Sequence, residues 1–279
     1  MLSPDQQLAK LVRSQSQTFD IAECALLVAQ HEYPRLDIPA YINQLDQLAD
    51  RLRSRLPADA GKPYIISMLN HYLFRELGYA GNTDNYYDPR NSFLNDVIDR
   101  RVGIPITLSI LYMEIGRRVG VNLEGISFPG HFLAKCVTDQ GVIVLDPFNK
   151  GASLSENDLR ERLRQSGGNA NDLATPLTTL LRPAKPQEIL LRLARNLKAI
   201  YVEVDDIEKA IAMSSFILGL NALDATELRS RAKLYHQLFC FRAALADFKH
   251  LVEIDVDAAE DDDIRAVITE LEQKNRLLN

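Results

Sequence analysis

Apolar side chains recur at every third or fourth position over much of the first 120 residues, a spacing that predicts amphipathic helices. One such stripe consists of Ile38, Tyr41, Leu45, Leu48, Leu52 and Leu56. Another follows Pro63, a residue suited to the first turn of a helix, and consists of Ile65, Ile66, Leu69, Tyr72 and Leu73. A loop rich in Gly, Asn, Asp and Pro is predicted over 78–90, followed by helices over 93–100 and from Pro105 to about position 120.

Beyond Gly120 the pattern changes to short runs that are rich in β-branched and aromatic residues. The runs 123–128, 131–138 and 141–148 are joined by turn residues, which predicts antiparallel strands. Asp139 and Gln140 would form the tip of the hairpin between the last two runs. Ser155, with Asp158 three residues later, predicts the cap of a helix over 159–165.

The last third of the chain is helical in pattern and repeats itself after 34 residues. The shift pairs Ala194 with Leu228, Tyr201 with Tyr235, Ala210 with Ala244, and Ile217 with Leu251. This period, with a small residue at the helix crossing, resembles the tetratricopeptide repeat. Lys198 stands where that repeat favours glycine, so the match is partial. We expect two repeat units and a final helix over 264–278.

A long connection separates this repeat region from the rest of the chain. It runs from Gly167-Gly168-Asn169 to Pro186 and is rich in turn residues. We therefore predict a domain over 1–182, with amino-terminal helices and a small sheet, and a repeat-like helical domain over 183–279. The expected fold class is α+β.

Composition excludes several classes of function. The net charge is −6 and no cluster of Lys and Arg stands out, which argues against nucleic-acid or membrane-surface binding. The first residues show neither a basic stretch nor an apolar run, and no apolar run approaches the ~20 residues of a membrane span. The three cysteines stand far apart, without a C-x-x-C pair, as a reducing compartment permits. We expect a cytoplasmic protein.

Residues 103–147 contain the frame of a papain-like Cys–His–Asp site in which the cysteine is missing. Gly103-Ile104-Pro105 begins a helix, where a nucleophilic thiolate is often placed, but Pro105 occupies the nucleophile position. His131 and Asp146 would lie diagonally on one face of the hairpin, roughly 7–8 Å apart at the backbone. Their side chains could form the base and orienting carboxylate of a triad. A structural His–Asp pair that holds the hairpin together is the alternative.

Other groups could replace the missing thiol or take part in binding. Thr107 and Ser109 share the helix start with Pro105 and are weak alternative nucleophiles. Cys136 lies five residues beyond His131, on the opposite face of the strand, and is expected to be a core thiol. Arg100 and Arg101, like Arg117 and Arg118, could be solvated helix ends or could recognise a carboxylate or phosphate.

No metal or cofactor site is expected. The remaining histidines, at 31, 71, 236 and 250, show no metal-ligand spacing, and the chain has no glycine-rich phosphate loop. The motifs that stand out are therefore those of the triad frame.

Taken together, these motifs resemble the SirB-type family of bacterial proteins, which couple a transglutaminase-like core to C-terminal tetratricopeptide repeats. The matching runs are Glu32-Tyr33-Pro34, Asn91-Ser92-Phe93-Leu94-Asn95, Arg100-Arg101, Gly103-Ile104-Pro105-Ile106, Pro129-Gly130-His131-Phe132-Leu133 and Asp146-Pro147-Phe148. In catalytic relatives a glycine follows fifteen residues after the cysteine. Gly120 has that spacing from Pro105, so the resemblance assigns Pro105 to the cysteine position and His131 and Asp146 to the other triad positions.

The resemblance implies a transglutaminase-like fold, a cleft and two thirds of a triad, and the missing thiol indicates a pseudoenzyme. A related module in a eukaryotic F-box protein suggests protein–protein recognition. Our leading hypothesis is therefore a non-catalytic binder of a protein or peptide, in a regulatory role. The competing hypotheses are a hydrolase or acyltransferase that uses Thr107 or Ser109 with His131, and a purely structural subunit.

Overall fold

A computed structural model of the chain describes residues 20–165 and 174–277. The predicted connection at Gly167-Gly168-Asn169 lies outside these residues, as do the first 19 positions. The described residues belong to two compact units, 20–193 and 194–277. The boundary between the units falls inside one helix, Pro186–Glu203. The α+β class predicted from the sequence is confirmed.

The first unit is built from helices around a small sheet. Its helices are Ile21–Ala29, Ile38–Arg53, Lys62–Asn70 with a π-helical continuation His71–Glu76, Leu94–Arg100, Pro105–Arg118, Glu156–Gln165, Leu177–Leu180 and the start of Pro186–Glu203. Asp37 begins the second of these by accepting a hydrogen bond from the Ala40 N–H at 3.1 Å. That helix ends at Arg53, three residues before the predicted end of the apolar stripe. Pro57 follows closely, and a proline disfavours helical backbone just before it.

The sheet has four antiparallel strands in chain order: Glu124–Ile126, Leu133–Thr138, Gly141–Asp146 and Ala152–Leu154. Thr138 lies opposite Gly141, which is the register predicted from the Asp139-Gln140 tip. The fourth strand was not predicted, because the three residues Ala-Ser-Leu are too few to show a strand pattern. A separate two-residue parallel pair joins Ala80–Gly81 to Val102–Gly103.

The helix Pro105–Arg118, called here the central helix, is buried over its whole first three turns. Pro105 occupies the first helical position, and the Thr107 side chain accepts a hydrogen bond from the Ile104 N–H at 3.2 Å. The sequence predicted one apolar stripe, but every residue from Pro105 to Gly116 is buried. Helices and the sheet contact this helix on several sides. Even Glu114 is buried, and it pairs with Arg117 and Arg118.

The second unit is helical throughout its described residues. Its helices are the end of Pro186–Glu203, then Ile207–Leu220, Ala225–Gln237, Phe241–Ile254, Val256–Glu260 and Asp262–Leu277. Ile207–Leu220 and Phe241–Ile254 are offset by 34 residues at both ends, as the sequence repeat predicts. The paired residues Ala210 and Ala244 are both fully buried. Nowhere in 20–165 or 174–277 is a helix both long and apolar enough to cross a membrane.

Candidate functional site

His131 and Asp146 lie at the open end of the hairpin. His131 comes two residues before the strand Leu133–Thr138, and Asp146 is the last residue of Gly141–Asp146. Gly130, at φ +67°, forms the turn that leads into His131. The His131 N–H then donates to the Phe128 carbonyl at 3.1 Å. His131 Nε2 lies 2.9 Å from Asp146 Oδ1.

The Asp146 carboxylate is fully buried and has several donors besides the histidine. Oδ1 accepts from the backbone N–H groups of Phe148 at 3.1 Å and Asn149 at 3.3 Å. Oδ2 accepts from Asn149 Nδ2 at 2.6 Å and pairs with Arg162 at 2.8 Å. Burial is the largest single influence on the pKa of Asp146 and raises it. The hydrogen bond and charge of His131, with Asn149 and Arg162, outweigh burial and hold this pKa below its usual value.

An ionised carboxylate can only accept hydrogen bonds. Nε2 of a neutral His131 must therefore carry the proton, and Nδ1 carries the lone pair. This is the tautomer in which a histidine can act as a base or an acceptor through Nδ1. The pair is thus oriented as in a triad, whatever faces Nδ1.

A second set of contacts holds the turn that follows Asp146. Gly151, at φ +73°, donates its N–H to the Asp146 carbonyl at 2.8 Å. The Gly151 carbonyl accepts from Asn70 Nδ2 at 2.9 Å, and Asn70 Oδ1 accepts from the Tyr112 hydroxyl at 2.8 Å. A Cβ at position 151 would collide with the Asn70 side chain. The central helix therefore positions Asp146 through Tyr112 and Asn70.

The start of the central helix offers no exposed nucleophile. Pro105 is buried in the position assigned to the cysteine. The Thr107 hydroxyl is fully buried and donates to the Asn91 carbonyl at 2.7 Å, with the Ile104 carbonyl 3.2 Å away. The Ser109 hydroxyl is also fully buried and has no hydrogen-bond partner within 20–165 or 174–277. Thr107 thus acts as a cap, and Ser109 lies within the core.

Aromatic contacts connect this helix start to His131. Gly81 pairs with Gly103, two residues before Pro105. A side chain at Gly81 would collide with the ring of Phe148, which therefore packs directly on this glycine. Phe148 in turn lies edge-on to His131, with ring centroids 5.9 Å apart.

The loop before Asn91 adds two tyrosines to the same surface. The buried Asn91 side chain donates to the carbonyls of Asn85 at 2.8 Å and Tyr86 at 3.3 Å, which fixes the loop. The Tyr86 ring lies 6.3 Å from Phe148 and 5.3 Å from Tyr87. Tyr86 is 38% exposed and Tyr87 is 64% exposed. We call His131, Phe148, Tyr86 and Tyr87 the aromatic cleft.

The other residues singled out from the sequence, Arg100, Arg101 and Cys136, make contacts within the fold or lie in its core. Arg100 pairs with Asp88 at 3.2 Å, and Asp88 also binds Arg90 at 2.8 Å. Burial raises the pKa of Asp88. The hydrogen bonds from Arg90 and the charge of Arg100 outweigh burial, so this pKa lies below its usual value. Arg101 has a left-handed backbone and donates to the Leu77 carbonyl at 2.9 Å. Cys136 is fully buried, and burial raises the pKa of its thiol.

The described residues contain no cluster of three or more His, Cys, Asp or Glu side chains that could hold a metal ion. Sequence reasoning also missed groups that support the site. Asn149 follows Asp146 by three residues, a spacing typical of a carboxylate-capped turn, so a signal for it existed. Arg162 is one of several arginines on the polar face of the helix Glu156–Gln165, and no pattern distinguishes it. Tyr86 and Tyr87 stood out only as aromatic residues within a polar loop.

Similarity to known proteins covers nearly the whole chain. A family model described as the transglutaminase-like superfamily matches residues 39–195, and one described as a tetratricopeptide repeat matches residues 197–271. A UPF0162 protein of Xylella fastidiosa is 40% identical over 256 residues, which are 91% of each chain. Protein SirB1 of Salmonella typhimurium is 25% identical over 92% of this chain and 95% of its own. F-box only protein 21 of Homo sapiens is 37% identical over 99 residues, 33% of this chain and 16% of that protein.

Proposed function

We infer that this chain binds a protein or peptide and does not catalyse acyl transfer. The chain belongs to the SirB-type or UPF0162 family, whose members are transglutaminase-like proteins with C-terminal tetratricopeptide repeats. Tetratricopeptide repeats generally serve protein–protein interaction through extended surfaces. The observation that carries the proposal is the start of the central helix, where a buried proline stands in place of the thiol.

The aromatic cleft supports binding in the first unit. Exposed tyrosines next to the half-buried Phe148 give an apolar surface with polar edges, which is typical of recognition sites. His131 is held in one orientation by Asp146. It therefore presents Nδ1 as a fixed hydrogen-bond acceptor to a ligand and loses little side-chain entropy on binding.

One observation favours catalysis as a second candidate function. His131 and Asp146 have the geometry of a base and its orienting carboxylate. A hydrolase or acyltransferase would require a nucleophile, and Thr107 or Ser109 would have to supply it. Thr107 already donates its hydroxyl proton to the Asn91 carbonyl, and Ser109 is fully buried. Either residue would need a rearrangement of the helix start before it could reach a substrate.

Site-specific photocrosslinking tests the binding proposal. Tyr87 is replaced by p-benzoylphenylalanine in the full-length chain, which is irradiated in the cells that produce it. The control carries the same group at Val142, which is also exposed but lies on the hairpin strand. We expect a discrete protein adduct from position 87, absent from position 142 and reduced when Phe148→Ala is added. Equal adducts from both positions, or none from position 87, would contradict binding at the aromatic cleft.

Turnover assays separate the two candidates. The full-length protein is given a glutamine-containing peptide with an amine donor, and separately p-nitrophenyl acetate. If the protein is a binder, wild type and His131→Ala give the same background rate. A rate that depends on His131 would establish the catalytic alternative.

A further inference from the structure

Arg192 is a partly buried cation beside the aromatic cleft that neither the triad frame nor the family match accounts for. It lies on Pro186–Glu203 within the first unit. Its Nη1 donates to Ser127 Oγ at 2.8 Å and to the Phe128 carbonyl at 3.0 Å. Its guanidinium carbon lies 5.7 Å from the centre of the Phe132 ring. One edge of the guanidinium is therefore anchored to the protein.

The other edge of Arg192 has no partner among the residues that the structure describes. In the ranges that the structure describes, no carboxylate lies within ion-pairing distance of Arg192, and its Nη2 and Nε make no hydrogen bond. Burial lowers the pKa of Arg192, and only Tyr86 acts against it. A cation that has lost part of its hydration without gaining an anion is destabilised. Most partly buried arginines in the described part of the chain are paired, such as Arg231 with Asp247 at 2.7 Å.

Arg192 is connected to His131 by a shared acceptor. The Phe128 carbonyl accepts from both Arg192 Nη1 and the His131 N–H. On the other side, Tyr86 contacts Phe148, which packs on His131. Arg192 and His131 therefore border the same small region, bounded by aromatic rings.

We propose that the aromatic cleft binds a carboxylate of its peptide ligand through Nη2 and Nε of Arg192. The fork of a guanidinium matches the two oxygens of a carboxylate, and such bidentate pairs are short and directional. The carboxylate comes from an acidic side chain or from a free C-terminus. The inference rests on the proposed function, since it specifies the chemical class of ligand that this cleft takes.

Four peptides test the inference with the full-length protein. One pair is acetylated tetra-alanine with a free C-terminal carboxylate or with an amide. The other pair is an amidated tetrapeptide with a central glutamate or glutamine. Binding is followed by NMR of the Arg192 Nε–H signal in ¹⁵N-labelled protein. We expect at least one acid to bind about tenfold more tightly than its neutral counterpart and to shift this signal. The pair that shows the preference identifies the source of the carboxylate.

Variants of matched charge complete the test. Arg192→Gln should abolish the preference and Arg192→Lys should retain part of it, because the charge remains without the fork. Arg182→Gln is the control, since it removes an equal charge whose partner is already Glu188 at 2.8 Å. Equal binding of acids and neutral peptides, a preference that persists in Arg192→Gln, or no binding of any peptide at about 10 mM would overturn the inference. Those results would not affect the crosslinking from position 87, which tests protein binding at the aromatic cleft. The two proposals can therefore be refuted independently.

Discussion

Two buried carboxylates, one in each unit, join several structural elements and have different surroundings. Asp146 lies in the first unit, called here the transglutaminase-like unit, and Glu227 lies in the second, called here the repeat unit. In the repeat unit Glu227 accepts from Lys198 Nζ at 2.7 Å and from Ser214 Oγ at 2.5 Å. These residues connect three consecutive helices. In the transglutaminase-like unit Asp146 connects the hairpin, the following turn and the helix that carries Arg162.

The difference lies in where each network ends. The hydrogen bonds of the Glu227 network connect only residues on neighbouring helices. Lys198, for example, also donates to Ser230 Oγ at 3.0 Å. The Asp146 network ends on His131, whose side chain is 12% exposed and whose Nδ1 is not used by Asp146. A buried ion pair is therefore no indication of a site by itself. What distinguishes the Asp146 network is His131, whose Nδ1 has no hydrogen-bond partner among the described residues and which lies beside exposed aromatic rings.

The largest expected effect is that of Glu227→Ala on the stability of the repeat unit. The change leaves the Lys198 ammonium without its counter-charge, and breaking such a buried pair costs about 3–5 kcal/mol. Urea unfolding of the full chain, followed by circular dichroism, measures the loss. Glu227→Ala combined with Lys198→Met should recover part of the stability, because no uncompensated charge remains. A single-variant loss below about 1 kcal/mol would show that the pair behaves like a surface salt bridge.

Asp146→Asn should lower the free energy of unfolding by a smaller amount, and that loss should depend on pH. The change removes the charge that His131 and Arg162 stabilise, and hydrogen bonds to charged groups contribute about 1.5–3 kcal/mol. Because the pKa of Asp146 is lowered in the folded state, its contribution is fully present above the unfolded pKa of about 3.9. It is lost as the pH falls through the folded pKa.

The loss of stability in Asp146→Asn, relative to wild type, should therefore be present above about pH 4 and should become smaller as the pH falls below about 4. Asp139→Asn, the same substitution at the exposed hairpin tip, is the matched control. A difference that widens at low pH would mean that Asp146 is protonated in the folded protein. The triad-like tautomer of His131 would then be wrong.

The hairpin register and the start of the central helix could be predicted from the sequence, because both depend on neighbouring residues. The two-residue tip at Asp139 and Gln140 fixed the register of the hairpin, and that register places His131 and Asp146 on one face. Proline at the first helical position marked the start of the central helix. These features depend on residues within a few positions of one another.

Contacts between distant segments could not be predicted from one sequence. Asn70 meets Gly151 across 81 positions, and Arg192 meets Phe128 across 64. Each is an ordinary polar residue on a helix, without periodicity or spacing that signals a partner. Lys198 is similar, since only the structure shows that it pairs with Glu227 where the repeat favours glycine. The predicted His–Asp frame was thus visible in the sequence, and its supporting contacts were not.

The smallest expected effect is a decrease in the pKa of a cysteine introduced at position 105, in place of the missing thiol. We expect Pro105→Cys to fold, because a first-turn residue needs no partner for its N–H. If His131 faces this helix start, the introduced thiol should have a pKa at least about one unit below the ordinary value of ~8.5, which corresponds to about 1.4 kcal/mol. The rate of alkylation by iodoacetamide as a function of pH measures it.

The background of native thiols can be controlled. Burial raises the pKa of Cys24 to about 12, and it also raises that of Cys136, so both stay protonated. Cys240 is exposed and is replaced by serine in every variant. The comparison is with Pro105→Cys combined with His131→Ala, which keeps the helix terminus and removes only the imidazole. Identical pH profiles would show that His131 does not act on the helix start, and Pro105 would then not occupy the position of a catalytic cysteine. A profile shifted by His131 alone would mean that the Asp146 network still orients a functional base and that the chain lacks only the nucleophile.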